Sequence, residues 1–247
     1  MNKNILLNRE DYTKIAIPKG ELLGDLLGYF SDAGCETKEF VPKSLVFEFP
    51  FLALPLLLVA LRSRDIGQTI SDPDSDIYFG FVGSDIAEEQ NLEVTSQLPP
   101  EAMQAAKLVM GSTPNFREKV PKSKNMRNIS AVKNASICTP YPNITKKYLA
   151  EKGIDARVIE KQGAIEAYWW AYPSCEAIVD VVISGTTMRA NLIEPMEIVR
   201  NDLSVQSVRA TDERAFNEVS GSQFNRDFNV LWDFQQILNK KKTIRRK

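Results

Sequence analysis

Short apolar runs rich in Val, Ile and Phe alternate along the chain with stretches whose apolar residues follow helical spacing. The run KIAIP (14–18) precedes a helical pattern over Glu21 to Ala33, and a run from Phe49 to Leu61 precedes IYFGFV (77–82). Apolar strands that alternate with amphipathic helices are typical of βα units on a largely parallel sheet. The run at 49–61 is shorter than a membrane span and contains two prolines, so we interpret it as a buried strand.

A second series of the same kind begins near residue 135. The stretch ASICTPYPNITKKYLAEKGI (135–154) predicts a strand and then a helix that Asn143 caps and Gly153 ends. Further βα units are predicted at ARVIEKQGAIEAYWW (156–170) and EAIVDVVISGTTMRANLI (176–193). The polar break around Asn91 to Pro100 is the best position for a crossing between two lobes.

Composition narrows the chemistry that this α/β chain can perform. The 247 residues carry a net charge of −1, which favours neither a nucleic-acid binder nor a membrane-surface protein. The absence of histidine excludes Ser-His-Asp and Cys-His catalysis as well as His-ligated zinc. Three widely spaced cysteines indicate reduced thiols, and the polar N-terminus lacks the apolar core of a signal peptide, so we expect a cytoplasmic protein.

The string DVVISGTTMRAN (180–191) is the strongest candidate for a ligand-binding turn. An apolar strand runs into Ser184, Gly185, Thr186 and Thr187, and a helix is expected to follow over Met188 to Leu192. Backbone N–H groups and hydroxyls at such a turn can bind phosphate, and a glycine lets the ligand approach the backbone. An ordinary helix N-cap explains the same residues, and the string alone does not separate the two interpretations.

Six segments, taken in order, resemble the catalytic chain of ATP phosphoribosyltransferase, the first enzyme of histidine biosynthesis. The most specific are the last two, GAIEA (163–167) and AIVDVVISGTTMRANLI (177–193). The other four are KIAIPKG (14–20), LRSRDI (61–66), FGFVGSDIAEE (79–89) and TPYPNITKKYLAEKGI (139–154). The resemblance covers most of residues 14 to about 208.

The resemblance implies an α/β fold of two lobes with a cleft between them, similar to type II periplasmic binding proteins. We expect residues 1–92 plus about 190–210 to form lobe I and residues 93–189 to form lobe II with the phosphoribosyl-phosphate loop. Residues 211–247 would be a C-terminal extension ending in a basic tail, KKKTIRRK. This stretch is too short for the regulatory domain of long-form enzymes, so the chain resembles a short-form subunit.

The family's site residues carry over onto matching positions of this sequence. The resemblance implies that Ser184 to Thr187 bind the 5-phosphate of phosphoribosyl pyrophosphate and that Asp180 and Glu166 lie near the ribose. The residues expected near the nucleotide acceptor are Tyr141 and Gly163, which carry over, and Trp169, which departs from the family pattern and whose ring could stack on the acceptor. Candidates for contact with the pyrophosphate are Lys19, Lys43 and Arg62, for which a surface charge is a nearly equal alternative.

In this family, N1 of ATP displaces magnesium-bound pyrophosphate from the anomeric carbon of the ribose. The resemblance therefore implies phosphoribosyl pyrophosphate and ATP as substrates and Mg²⁺ as the cofactor, with no dedicated metal ligands assigned. Short-form chains oligomerise with a regulatory subunit that resembles histidyl-tRNA synthetase, so a homo-oligomer and possibly that partner are expected. Neither nucleic acid nor a membrane is an expected partner.

Two departures from the family pattern leave other functions open. Glu21 stands where the family has an arginine that faces the pyrophosphate, and Tyr168, Trp169 and Trp170 replace small residues and proline. The aromatic residues could stack on a flat acceptor or fill the core, and core filling is the commoner use. The chain could thus be a divergent paralogue with another acceptor, or a non-catalytic ligand-binding or regulatory homologue.

Overall fold

A computed structural model describes residues 12–35, 37–39, 44–49, 56–120 and 129–211, together with seven helical positions between 225 and 236. The strands are β1 (Thr13–Pro18), β2 (Lys38–Glu39), β3 (Val46–Phe49), β4 (Leu56–Leu61), β5 (Phe79–Gly83), β6 (Glu93–Gln97), β7 (Lys107–Ser112), β8 (Ser136–Thr139), β9 (Arg157–Glu160), β10 (Ala177–Val182), β11 (Glu194–Arg200) and β12 (Val205–Arg209). The α-helices are α1 (Glu21–Asp32), α2 (Ser63–Ser71), α3 (Ser84–Glu89), α4 (Pro114–Lys119), α5 (Pro142–Glu151), α6 (Tyr168–Ala171) and α7 (Thr186–Ala190). Short 3₁₀ helices lie at Pro100–Ala102, Ile129–Val132 and Ile165–Ala167.

The chain divides into two compact units, each with its own sheet. The first unit contains residues 1–104 and 204–247, and the second contains residues 105–203. Both boundaries lie later in the chain than the positions expected after residue 92 and near residue 190. The reason is strand pairing, because β6 joins β12 in the first sheet and β11 joins β7 in the second. The predicted α/β class and two-lobed organisation are confirmed.

The first unit is built on a seven-stranded sheet with the order β2-β3-β4-β1-β5-β12-β6. Its centre is parallel, because β1 lies between β4 and β5, and every residue of β1 is buried. The apolar face of α1, with Leu26 and Phe30, covers this sheet as its helical spacing predicts. Val230 and Phe234 of the C-terminal segment pack into the same core, and the ring centroid of Phe234 lies 5.1 Å from that of Phe30.

The second unit has a five-stranded sheet with the order β11-β7-β10-β8-β9. Strand β8 pairs in parallel with β10 and β9, whereas β7 pairs antiparallel with β10 and β11. One face of the sheet, with Val109, Cys138 and Ile178, packs beneath Ile165, Trp169 and Met188. The face is therefore covered by the segment between β9 and β10 and by α7.

Two helices begin earlier than the sequence indicates. Helix α5 begins at Pro142 with Tyr141 as its N-cap, so the prediction that Asn143 caps this helix is wrong. Proline suits the first helical position because its fixed φ is helical and it has no N–H to leave unpaired. Helix α7 begins at Thr186 rather than Met188, because Gly185 takes a left-handed conformation and serves as its N-cap.

All three cysteines are free and buried, which agrees with the reduced thiols expected from their spacing. Folding nevertheless brings two of them together, because Cys138 lies in β8 and Cys175 lies two residues before the neighbouring strand β10. A hydrogen bond between the two thiols lowers the pKa of Cys138 and raises the pKa of Cys175. Among the described residues, no helix combines the length and the apolar character that a membrane crossing requires. The cytoplasmic location stays a prediction.

Candidate functional site

In the second sheet, the connections that follow the neighbouring parallel strands β8 and β10 lead to opposite sides of the sheet. From β8 the chain passes through α5 to β9 on one side, and from β10 it passes through α7 to β11 on the other side. In open α/β sheets, ligands bind beside the carboxyl ends of the strands at such a switch point. The turns at residues 140–141 and 183–187, which follow β8 and β10, therefore form the candidate site.

Thr139 joins the ends of these two strands. Its side chain is fully buried, and its hydroxyl donates a hydrogen bond to the Val179 carbonyl oxygen at 2.8 Å. The Thr139 hydroxyl oxygen also accepts a hydrogen bond from the Tyr141 N–H at 2.9 Å. One side chain thus fixes the turn after β8 against β10, directly beside Asp180.

The turn after β10 leaves its backbone donors available. Gly185 has φ 70°, and the Ser184 hydroxyl accepts from the Thr186 N–H at 3.3 Å and donates to the Thr186 hydroxyl at 3.0 Å. The N–H groups of Gly185, Thr187 and Met188 make no hydrogen bond to any described residue. Free N–H groups next to a glycine form a concavity that suits an anion. This geometry favours the ligand-binding interpretation over a simple N-cap, since α7 has no side-chain capping bond.

Two carboxylates lie on the face of the sheet that the segment 165–171 covers. Asp180 is half-buried and lies two residues from both Ile178 and Val182 along β10, which places it on their side of the sheet. Glu166 belongs to the 3₁₀ helix above that face and is buried. Within the described part of the chain, the Glu166 carboxylate has no hydrogen-bond or ion-pair partner.

An unpartnered buried carboxylate is costly, because a charge removed from water must be compensated by hydrogen bonds or an opposite charge. The structure provides neither for Glu166 among the residues that it describes, but the Glu166 oxygens are not among the fully buried side-chain atoms that lack a partner, so water can solvate them. A ligand with hydroxyl donors would supply the missing hydrogen bonds. Glu166 is therefore an available acceptor for a polyol such as a sugar at this edge of the sheet.

The remaining predicted residues of this edge lie in the turns after β8 and β9. Tyr141 is buried at the start of α5. Gly163 is exposed with φ 94°, and a Cβ built there would meet no atom within 4 Å. The loop around Gly163 is closed by the Tyr168 hydroxyl, which donates to the Gln162 carbonyl oxygen at 2.7 Å. Lys161 lies over the ring of Tyr172, with its Nζ 4.5 Å from the centroid.

The carboxyl edge of the first sheet brings two predicted cations together. Lys19 and Arg62 directly follow the parallel strands β1 and β4, and the Lys19 N–H donates to the Leu61 carbonyl oxygen at 2.7 Å. Both residues are exposed, as is Glu21 at the first position of α1. Lys43, the third predicted cation, lies outside the described residues.

The sequence of this chain is similar to that of a known protein family. The HisG family model, described as ATP phosphoribosyltransferase, matches residues 62–218. An ATP phosphoribosyltransferase of Stenotrophomonas maltophilia is 30% identical over 213 residues, which cover 86% of this chain and 67% of that protein. One of Citrifermentans bemidjiense is 30% identical over 191 residues, with coverages of 76% and 84%.

The chain belongs to the ATP phosphoribosyltransferase family. It is accordingly an enzyme of the pentosyltransferase class, in a family of histidine biosynthesis. Solved structures agree on the fold: the Thermotoga maritima "ATP phosphoribosyl transferase (HisG:HisZ) complex" has a TM-score of 0.59 at 20% identity and covers 92% of this chain and 98% of that one. The VFT2 domain of Bordetella pertussis BvgS has a TM-score of 0.50 at 10% identity, with coverages of 94% and 93%.

In this member of the ATP phosphoribosyltransferase family, the tryptophans lie toward the opposite end of the second sheet. Trp169 is 7% exposed, packs in the core, and donates its indole N–H to the Asn191 carbonyl oxygen at 3.0 Å. Trp170 is 64% exposed and stacks on Trp169 with centroids 4.1 Å apart. A shallow depression of about 470 Å³ is lined by both tryptophans, Pro173 and three residues of α4, Asn115, Glu118 and Lys119. Helix α4 follows β7, whose carboxyl end pairs with the start of β10.

Sequence reasoning overlooked two residues of the second unit's edge, Thr139 and Arg189. Thr139 directly precedes the Pro140–Tyr141 turn, and a buried hydroxyl before a strand-to-helix turn signals a positioning role. Arg189 lies five residues after Ser184 on α7, whose side chains point back toward the helix start. Its Nη2 lies 3.2 Å from the Ser184 carbonyl oxygen and 3.3 Å from the Thr186 hydroxyl oxygen.

Proposed function

We propose that this enzyme transfers the phosphoribosyl group of phosphoribosyl pyrophosphate to N1 of ATP, the first step of histidine biosynthesis. The observation that carries the proposal is the 183–187 turn, whose free N–H groups lie at the same sheet edge as the carboxylates of Asp180 and Glu166. A sugar phosphate offers what both features need, hydroxyl donors for the carboxylate and a dianion for the N–H groups. Family membership supports the same pair of substrates.

The turn after β10 would hold the 5-phosphate of the donor. The unused N–H groups of Gly185, Thr187 and Met188, with the hydroxyls of Ser184, Thr186 and Thr187, provide donors to the phosphate oxygens. These groups are fixed before the ligand arrives, so little reorganisation opposes binding. Thr139 would keep this turn in register with the turn at Tyr141.

The carboxylates would act on the ribose during displacement at its anomeric carbon. The bond from that carbon to the pyrophosphate oxygen breaks with its electron pair, and a bond from N1 of ATP forms. Positive charge develops on the ribosyl group, and Asp180 and Glu166 would stabilise it while accepting hydrogen bonds from the ribose hydroxyls. Their burial strengthens this interaction because water screens it less.

Lys19 and Arg62 would contact the departing pyrophosphate, and Lys43 stays a candidate for the same task. Among the described residues, no group of three acidic or thiol side chains is arranged to hold a metal ion. This chain therefore fits a magnesium ion that arrives bound to the pyrophosphate of the donor, since Mg²⁺ commonly binds substrate phosphates, waters and one or two carboxylates. In that form the ion would neutralise charge on the leaving group.

Tyr141 and Gly163 would border the acceptor, because both lie in turns at the carboxyl edge of the second sheet. Gly163 leaves open space where a side chain would otherwise stand. For Trp169, the bonded indole N–H and the packing in the core of the second unit support a structural role. A contact between Trp169 and the acceptor stays a prediction.

Assembly is a further part of the proposal. The similar Thermotoga maritima protein was solved as a HisG:HisZ complex. By analogy, this chain would form an oligomer and bind a regulatory subunit. The resemblance of the sequence implies that this subunit is similar to histidyl-tRNA synthetase. Activity should therefore be measured both with the chain alone and with such a subunit added.

A divergent enzyme with another acceptor, or a non-catalytic homologue, is the second candidate. The observation that favours it is Glu21, an exposed carboxylate close in sequence to Lys19. A carboxylate that faces a polyanion would cost several kcal/mol.

The test combines pyrophosphate release with mass spectrometry. Purified protein is mixed with Mg²⁺, phosphoribosyl pyrophosphate and ATP, and the mixture is examined for phosphoribosyl-ATP. The proposal expects this product and an equal amount of pyrophosphate. Donor binding without product, even with the regulatory subunit present, would favour another acceptor, and no donor binding would favour the non-catalytic homologue.

A further inference from the structure

Two of the three cysteines lie side by side in the core of the second unit. The thiols of Cys138 and Cys175 form a hydrogen bond with each other, and both belong to the same buried cluster, in which they are 1% and 0% exposed. The backbone segments that carry them are also joined, because the Glu176 N–H donates to the Ser136 carbonyl oxygen at 2.9 Å. Two thiols in contact can form a disulfide within the chain when they are oxidised.

The surroundings of the pair favour reaction at Cys138. The hydrogen bond from the Cys175 thiol and the charge of Lys161 lower the pKa of Cys138, although burial acts in the opposite direction. The same hydrogen bond and burial raise the pKa of Cys175, which therefore stays a thiol. The thiolate is the form of cysteine that attacks an oxidant. Cys138 is accordingly the first sulfur to react, and Cys175 is the second.

The pair is buried, but the turn that ends at Cys175 lies on the surface. Residues 170–174, which directly precede Cys175, are all exposed. The Cys175 N–H closes this turn by donating to the Tyr172 carbonyl oxygen at 2.8 Å, and the Thr113 hydroxyl donates to the Cys175 carbonyl oxygen at 3.1 Å. Opening a surface turn costs less free energy than unfolding the whole unit. A small oxidant such as hydrogen peroxide can therefore reach the thiols in the folded protein.

A bond between the two sulfurs would act on the candidate site. The residue after Cys138 is Thr139, whose hydroxyl joins the ends of β8 and β10. The loop that the bond would close, residues 138–175, also contains Glu166. The sulfurs must approach each other to about 2.05 Å, and a close-packed interior transmits such a displacement to neighbouring groups. Oxidation should therefore displace residues that are proposed to bind the ribose.

We propose that a peroxide converts Cys138 and Cys175 into a reversible disulfide, which lowers the affinity of the second sheet's edge for the phosphoribosyl donor. The effect on affinity rests on the proposed function, whereas formation of the disulfide does not.

The reaction has two steps. The Cys138 sulfur attacks one peroxide oxygen, the O–O bond breaks, and the other oxygen leaves as hydroxide, which forms water with the proton that the Cys138 thiol released. The Cys175 sulfur then attacks the Cys138 sulfur and the S–O bond breaks, so the hydroxyl group leaves as water with the proton of the Cys175 thiol. Both sulfurs are oxidised, and the peroxide is reduced to water.

Mass spectrometry of the intact chain tests the disulfide. Reduced protein is treated with hydrogen peroxide and unfolded, and the remaining thiols are alkylated. Wild type should lose the mass of two hydrogen atoms and keep one alkylated cysteine, Cys35, and dithiothreitol should restore all three thiols. Cys35→Ala is the matched control and should form the same disulfide, because Cys35 is equally buried but belongs to the first unit. Wild type that keeps three thiols, or that pairs Cys35, would overturn the proposal.

Calorimetric titration with phosphoribosyl pyrophosphate tests the effect on the site. Oxidised wild type should bind this donor about tenfold more weakly than the reduced form, and dithiothreitol should restore the affinity. Cys138→Ala lacks the reactive thiol, so its affinity should be the same before and after peroxide treatment. Equal affinities of the disulfide-bonded and the reduced wild type would overturn the regulatory effect. Reduced wild type that binds no donor would overturn the proposed function, while the mass measurement would still decide whether the disulfide forms.

Discussion

The carboxyl edges of the two sheets differ in how their charges are arranged. The edge of the second sheet has a buried carboxylate, a turn with free N–H groups and an arginine, three features that a single sugar phosphate would satisfy. The edge of the first sheet has Lys19 and Arg62 side by side, with the acidic Glu21 exposed at the start of the next helix. Both edges come from the same arrangement of parallel strands, so the fold provides the place and the side chains decide the ligand.

This difference shows which half of the proposed reaction is better supported. Binding of the phosphoribosyl group rests on a turn held by its own hydrogen bonds and on a buried residue, Glu166, beside the half-buried Asp180. Binding of the pyrophosphate rests on exposed charges, which a solvated surface also explains. Substitutions at the second edge should therefore have large effects, and those at the first edge should have smaller ones.

Gly185→Asp should have the largest effect. It places a carboxylate in the turn proposed to bind the phosphate, and like charges in contact cost several kcal/mol, so donor affinity should fall by at least about 10²-fold. Gly153→Asp is the matched control, because Gly153 has a similar φ of 66° and open space around it. Calorimetric titration with phosphoribosyl pyrophosphate measures both variants, and equal losses would attribute the effect to backbone strain alone.

Glu166→Gln should follow, with a rate reduced by about 10² to 10³-fold because charge stabilisation at the ribosyl group is lost. Its free energy of unfolding should not decrease, since Glu166 makes no hydrogen bond or ion pair with the described residues that the substitution would break. Glu151→Gln, at an exposed position of α5, serves as the control. Steady-state kinetics and urea unfolding test the pair of expectations. A large loss of stability without a change in rate would make Glu166 a structural residue.

Glu21→Arg should have an intermediate effect, and it tests the first edge. If Glu21 faces the pyrophosphate, reversing its charge should improve kcat/KM for phosphoribosyl pyrophosphate by roughly tenfold. Glu101→Arg, an exposed position of the same unit, controls for the change in net charge. Equal kinetics for Glu21→Arg and wild type would show that Glu21 does not contact the donor, and the argument for an altered acceptor would lose its basis.

Trp170→Ala should have the smallest effect on activity. The exposed ring lies toward the amino end of β10, so KM for ATP should stay within about twofold of wild type. Trp169→Ala should instead reduce stability by about 3–5 kcal/mol, because a buried indole is removed from the core. A marked rise in KM for Trp170→Ala would indicate that the acceptor binds at the tryptophans. It would contradict the proposal that the acceptor binds beside Tyr141 and Gly163.

Local pattern predicted the elements better than their ends. Helix α1 was expected over Glu21 to Ala33 and spans Glu21–Asp32, because its apolar spacing and tertiary packing agree. The start of α5 was misplaced, since a proline at the first helical position competes with Asn143 as the starting signal. The boundary between units was expected too early because β6 is short and polar, and a polar break was interpreted as a linker. The pairing of β6 with β12 joins residues far apart in the chain, so local sequence does not predict it.

The site shows the same limit. The string SGTT predicted the turn, since glycine and hydroxyl residues are a local signal. The burial of Glu166 and the bridge that Thr139 forms to Val179 depend on strands far apart in sequence, so no local pattern reveals them. Arg189 was overlooked because its contact with the turn depends on the direction of its side chain, which points toward the start of α7.

The most direct test of the account is a crystal structure of the chain with phosphoribosyl pyrophosphate. The account predicts that the 5-phosphate lies against the N–H groups of Gly185, Thr187 and Met188, and that ribose hydroxyls bond to Glu166 or Asp180. A donor bound elsewhere, with the 183–187 turn empty and Glu166 still unpartnered, would contradict the central claim that the second sheet's edge binds the phosphoribosyl group.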